Sequence, residues 1–161
     1  MTVRFEASVD LRVDPGTAFA ALVDPRSQQR WMIATKLYPI EGSVSVPHVG
    51  SRLAAFTGVG SIGFLDTMIV TVYDPPRRWI MDKDGDLLRG VGIMQVEPIG
   101  GGCRLTWANE LEPPFGRLGR VGALVARPIA RFGLQACLRR LAKQLANGTL
   151  PLPTVPQARS G

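Results

Sequence analysis

At 161 residues, with 45% hydrophobic and 20% charged side chains, the chain has the size and composition of one globular domain, which excludes a disordered or fibrous protein. The net charge of +6 is carried unevenly: residues 1–103 hold ten Lys/Arg against eleven Asp/Glu, while residues 104–161 hold nine against Glu110 and Glu112 alone. No uninterrupted apolar run reaches the ~18 residues expected of a membrane-spanning helix, and the opening MTVRFEASVD lacks the apolar core of a secretory signal, so the expected location is the cytoplasm.

The first segment alternates. Val3, Phe5, Ala7, Val9, Leu11 and Val13 are apolar and the residues between them polar, the period of a strand with one buried face. Asp14-Pro15 then offers an N-cap followed by a proline at the first helical position, and Asp24-Pro25 repeats the device. Two short helices are expected, the first with Phe19, Leu22 and Val23 as its apolar stripe, the second ending near Trp31.

Strands are expected over residues 35–41, 51–58, 63–73, 78–83, 87–97 and 103–112. The turns between them fall at residues 47–50, 58–63, 74–76, at Asp84-Gly85, and at 98–102. Short turns between consecutive strands imply an antiparallel meander. Gly90 and Gly92, two apart in one strand, signal a bend or a close approach. Gly58, Gly60 and Gly63 match the spacing of a dinucleotide-binding loop, but a strand follows them instead of a helix, so they read as a turn.

From residue 116 to about residue 146 the pattern is helical. Ile129, Phe132, Ala136, Leu138, Leu141 and Leu145 recur mostly at three- and four-residue steps, with Arg131, Arg139, Arg140 and Lys143 mostly between them. Pro128 is expected to divide a lead-in helix from a main one, and Asn147-Gly148 to stop it. The domain is thus expected to span residues 1–148, followed by a disordered tail over 149–161 that has three prolines and no periodicity.

The expected architecture is α+β: a curved antiparallel seven-stranded sheet, two short helices after its first strand, and a long C-terminal helix over its concave face. Three stretches carry a resemblance: Val13-Asp14-Pro15 with Phe19, Leu22, Asp24-Pro25 and Arg30-Trp31; Val70 and Val72 with Asp74-Pro75-Pro76-Arg77-Arg78-Trp79; and Val96-Glu97-Pro98 with Cys103-Arg104-Leu105-Thr106-Trp107. Over residues 3–146 the chain resembles the small bacterial members of the START-like (SRPBCC) superfamily, the polyketide cyclase/dehydrase and lipid transport family with the helix-grip fold. These stretches are caps, turns and core positions, so they specify the fold more than any chemistry. The resemblance implies a cavity between helix and sheet that takes a hydrophobic small molecule such as a lipid or a polyketide-like compound. Relatives include carriers, cyclases, receptors and co-chaperones, so fold alone does not choose among them.

Candidate site residues follow. His48, the single histidine, lies in a loop and reads as a turn residue or as a group at a cavity mouth; one histidine excludes a multi-histidine metal site, and no cofactor is implied. Asp66 sits in an apolar strand. It is either a strand-end carboxylate near solvent or paired with an arginine such as Arg52, or, if it shares the face of Phe64, Met68 and Val70, a carboxylate in a low-dielectric pocket suited to acid/base work. Asn109 shares parity with Trp107 and offers a donor and an acceptor to a ligand, or a structural hydrogen bond. Glu110 then faces outward, toward a neighbouring-strand arginine.

Trp31, Phe56, Met68, Met81, Met94, Trp107 and Phe132, with Trp79, are the large adaptable side chains that would line a cavity or fill a core. Cys103 and Cys137 read as small buried hydrophobes. The basic C-terminal helix reads as a solvated face or as a contact for an anionic membrane or an acidic protein. Without interleaved aromatics it argues against nucleic acid. The readings in play are a carrier or sensor, a cyclase or dehydratase drawing on Asp66 or His48, and an interaction protein using that helix.

Overall fold

Both Asp-Pro pairs start helices in the computed structural model, which describes residues 2–40, 48–85, 88–113 and 115–152. Strand β1 (Val3–Leu11) leads into α1 (Pro15–Val23), where the Asp14 carboxylate accepts from the Thr17 backbone N–H at 2.9 Å. Helix α2 (Pro25–Trp31) is capped in the same way by Asp24, which accepts from the Arg26 N–H at 2.8 Å. Two buried donors then tie α2 back to the end of α1: Gln28 Nε2 donates to the Leu22 carbonyl at 2.6 Å and Trp31 Nε1 to that of Ala21 at 3.3 Å. A buried polar side chain needs such a partner, and here each partner also fixes the angle between the helices.

The remaining strands are β2 (Thr35–Pro39), β3 (Arg52–Val59), β4 (Ile62–Asp74), β5 (Arg78–Asp84), β6 (Arg89–Ile99) and β7 (Gly102–Glu112). They form one antiparallel sheet in the order β1-β7-β6-β5-β4-β3-β2. The Gly58 to Gly63 segment is a hairpin turn, with Val59 paired to Ile62 and only Gly60 of its two tip residues at positive φ. The Asp84-Gly85 turn is longer than the expected two-residue form. Asp84 is still in the ladder, opposite Arg89, and accepts from Arg52 Nη2 at 2.8 Å and from Thr67 Oγ1 at 2.7 Å; Asp86 and Leu87 lie outside the described residues.

Gly90 has φ +141, and a Cβ there would stand 2.0 Å from the Glu110 carbonyl oxygen. The close approach expected at this glycine is therefore that of the neighbouring strand's backbone. Glu110 faces outward as expected and takes Arg4 of β1 at 2.5 Å.

The C-terminal helix α3 (Gly116–Ala146) is a single helix running through Pro128, not two. Pro128 removes one donor and leaves the Leu124 carbonyl without its usual partner. The helix ends where Asn147-Gly148 predicts. Gly148 is at φ +64, its N–H donates to Leu145, and the Thr149 N–H donates to Gln144 at 3.0 Å, the paired bonds of a Schellman stop. Leu150 still packs into the core, and residues 153–161, most of the expected tail, lie outside the described residues.

The two halves of α3 differ. Leu134, Cys137, Leu138 and Leu141 are buried against the body of the protein. Before them, Leu118, Val121, Val125, Ile129 and Phe132 are exposed, Leu118 to 83%. At about 100° per residue these large side chains share one side of the helix, while Ala126 and Ala130 turn toward the sheet. By length and composition α3 is apolar enough to cross a membrane, although the sequence shows no uninterrupted run. Its second half is built into the core, so only the first half is unburied.

Candidate functional site

Alternation along the strands builds the wall of one cavity. Phe64, Asp66 and Met68 of β4, Trp79, Met81 and Lys83 of β5, Gly92 and Met94 of β6, and Trp107, Asn109 and Leu111 of β7 all project from the concave face. Phe5, Leu53, Ala55 and Thr57 extend the wall, Gln28 of α2 closes it with Met32 and Ile33 that follow the helix, and Ala126, Ala130, Gly133, Leu134 and Cys137 of α3 roof it. The cavity has a volume of about 650 Å³, within the range of small-molecule sites, and opens to one side. Its surface is overwhelmingly apolar. Ile129 and Phe132, each 73% exposed, stand at the mouth, so the apolar lining runs out onto the free face of α3.

Of the expected lining residues, Met68, Met81, Met94, Trp107, Asn109 and Phe132 are on the wall. Trp31 is not. It is completely buried, edge-on to Trp107 with ring centroids 6.0 Å apart, and supports that ring from behind. Phe56 is also off the wall, because its neighbours Ala55 and Thr57 hold the inward parity of β3 and turn Phe56 to the opposite face. His48 sits on an exposed turn outside the cavity, its ring Nδ1 3.1 Å from Ser51 Oγ.

Asp66 combines parts of both alternatives, lying on the cavity face and paired with a cation. It is 3% exposed, on the cavity face, and not at a wet strand end. Arg52 pairs with Asp84 instead, and the partner of Asp66 is Lys83, whose Nζ donates to Asp66 Oδ2. The other carboxylate oxygen, Oδ1, is buried and accepts from no protein donor among the described residues. Asn109 lies opposite Gly92, and a Cβ on Gly92 would stand 3.5 Å from Asn109 Oδ1 and 3.7 Å from Lys83 Cε. A Cβ on Gly85 would stand 3.2 Å from Asp66 Oδ1. Asp66, Lys83 and Asn109 therefore form the charged end of a largely apolar chamber, whose other polar side chains among the described residues are Gln28, Thr35 and Thr57.

Lys83 is the site residue that sequence reasoning missed. Its parity with Trp79 and Met81 was the available signal. Among the described residues the titratable groups on the wall are Asp66, Lys83 and Cys137, and no group of His, Cys, Asp or Glu is arranged to hold a metal. Burial pushes the Cys137 thiol up, and its Sγ accepts from the Ile33 N–H at 3.3 Å. Burial does the same to Cys103, so both cysteines behave as the small hydrophobes expected. Chemically, the chamber can enclose an apolar molecule and offer it one charged acceptor beside donors.

The family model described as polyketide cyclase / dehydrase and lipid transport matches residues 2–146. An uncharacterised protein of Mycobacterium tuberculosis is 30% identical over 145 residues, covering 85% of this chain and 81% of the relative. Among solved structures, a Thermus thermophilus protein superposes with TM-score 0.72 at 12% identity, covering 91% of this chain and 99% of that one. A polyketide-cyclase-like protein of Corynebacterium glutamicum does so with TM-score 0.63 at 19% identity, covering 92% and 94%. These structures share the fold.

Proposed function

Because the chain belongs to the polyketide cyclase/dehydrase and lipid transport family, we propose that it is a cytoplasmic carrier or sensor that encloses one hydrophobic small molecule, a lipid or a polyketide-like compound. The observation that carries this reading is the cavity of about 650 Å³ with its nearly all-apolar wall. Each Å² of apolar ligand surface removed from water contributes roughly 25 cal/mol, so a mainly hydrocarbon ligand gains its affinity from the wall itself. The test is native mass spectrometry of protein purified from its own host, followed by binding of an apolar fluorescent dye to stripped protein. A co-purified apolar molecule, and dye binding lost in Ala55→Phe, which fills the wall, are expected. Empty protein that takes up no apolar probe would sink the reading.

A second observation favours a membrane as the place of exchange. The free half of α3 sets Leu118, Val121, Val125, Ile129 and Phe132 outward beside Arg117, Arg127 and Arg131, and α3 contains no acidic residue. Such a stripe suits the surface of an anionic bilayer, whereas a second copy laid on it would bring like charges together. Purified protein should sediment with phosphatidylglycerol vesicles and not with phosphatidylcholine vesicles. Binding should fall at high salt and in Leu118→Glu/Val125→Glu. Absence of binding at low salt overturns this reading. Dimerisation abolished by the same variant would assign the face to a second copy, and binding to polyglutamate alone would assign it to an acidic protein.

A further inference from the structure

The polar end of the cavity narrows the chemistry of the ligand, an inference that rests on the carrier reading above. A carboxylate oxygen cut off from water without a hydrogen bond is costly, because the lost hydration is not replaced. Asp66 Oδ1 is such an atom: the residue is 3% exposed, its Oδ2 is held by Lys83, and Oδ1 has no protein donor among the described residues. What is missing at that oxygen is a donor. Lys83 brings only donors, and Asn109 brings both an acceptor and two donors.

A hydroxyl is the simplest group that answers all three, donating to Asp66 Oδ1 while accepting from Lys83 or Asn109. A ligand carboxylate supplies no donor and sets a second negative charge beside Asp66. A ligand ammonium supplies donors but meets the positive charge of Lys83. Gly92 leaves the space beside these groups open, since the absent Cβ would stand only 3.5 Å from Asn109 Oδ1. We infer that the cavity selects an uncharged apolar molecule ending in a hydroxyl, its hydrocarbon along Met68, Met81 and Met94 and its hydroxyl at Asp66 Oδ1.

The experiment compares dodecanol, dodecyl methyl ether and sodium dodecanoate as displacers of an apolar dye from the stripped full-length protein. Dodecanol should bind about tenfold tighter than the ether, the worth of one hydrogen bond to a charged acceptor, and tighter than dodecanoate. Asp66→Asn leaves Lys83 without its counter-charge and can unfold, so the informative variant is Asp66→Leu/Lys83→Met, which replaces the pair by apolar shapes. It should keep binding the dye and the ether and lose the preference for the alcohol. Equal affinity for alcohol and ether in the native protein overturns the inference while leaving the carrier reading intact, as does a preference that survives in the double variant. Failure of every apolar probe to bind overturns both.

Discussion

Gly90 and Gly92 stand two apart on β6, and β7 treats them oppositely. At Gly90 the added Cβ would meet the Glu110 carbonyl oxygen at 2.0 Å with φ at +141, whereas at Gly92 it would make ordinary contacts, the nearest at 3.5 Å from Asn109 Oδ1. Gly90→Ala is therefore expected to destabilise by about 2 kcal/mol or more, through strain at a positive φ and a clash with backbone that cannot yield. Gly92→Ala should change stability by less than about 1 kcal/mol. Urea unfolding of the two variants checks the contrast, and a similar loss in both would contradict it.

The Asp66–Lys83 pair makes a non-additive prediction. Lys83→Met leaves the buried Asp66 carboxylate without its cation and should cost about 3 kcal/mol. Asp66→Leu/Lys83→Met should recover most of that loss. A double-mutant cycle read by thermal unfolding measures the coupling, and two simply additive losses would contradict a buried, mutually dependent pair.

Acid sensitivity should trace to carboxylates at the ends of elements. The Thr17 hydroxyl and N–H hold Asp14 below its ordinary value of 3.8, Arg104 does the same to Asp10, and Thr67 followed by Arg52 to Asp84. A depressed folded value means the unfolded chain takes up protons first. The stability from these groups is therefore present above pH 3.8 and lost as pH falls through their folded values. Asp14→Ala should cost about 1 kcal/mol at neutral pH, and the difference from the native protein should shrink as pH falls below 3.8. An undiminished difference there would assign the loss to packing instead of the cap.

Cysteine reactivity reports the cavity. Burial raises both thiols above 9.0, so both stay protonated at neutral pH and should react slowly with N-ethylmaleimide. Cys137 lines the wall, so its slow labelling should become slower still with dodecanol present, while Cys103, outside the wall, should be indifferent. Because the raised folded values favour the protonated form, any stability they contribute is present below pH 9.0 and declines as pH rises through them. Labelling followed by peptide mass spectrometry separates the two sites.

The sequence displayed the frame of the fold because its signals are local. Asp14-Pro15 and Asp24-Pro25 are caps readable within a few residues, and the alternation of Val3 to Val13 needs no partner to interpret. What it concealed depends on which strands meet. In Leu53-Ala54-Ala55-Phe56 both faces are apolar, so a period of two cannot choose between them, and Phe56 lies on the face away from the cavity. Asp66 and Lys83 are 17 residues apart and meet only through the register of β4 and β5. The periodicity of α3 was legible, but the direction of its first half was not. Nine residues separate Ile129 from Leu138 and Phe132 from Leu141, about half a turn around the helix, so Ile129 and Phe132 stand at the open mouth on the side away from the core.

The sheet order also sets the sequence of assembly. Strands β2 to β7 each pair with the next in the chain, but β1 pairs with β7, so Val3 must find Leu111 across the greatest span in the ladder. Closing so long a loop carries the largest entropic cost of any pairing here and is the kind of contact that slows folding. During synthesis the first strand made is the last to gain a partner. The chamber, whose wall includes Phe5 of that strand, is finished only when the newest strand joins the oldest.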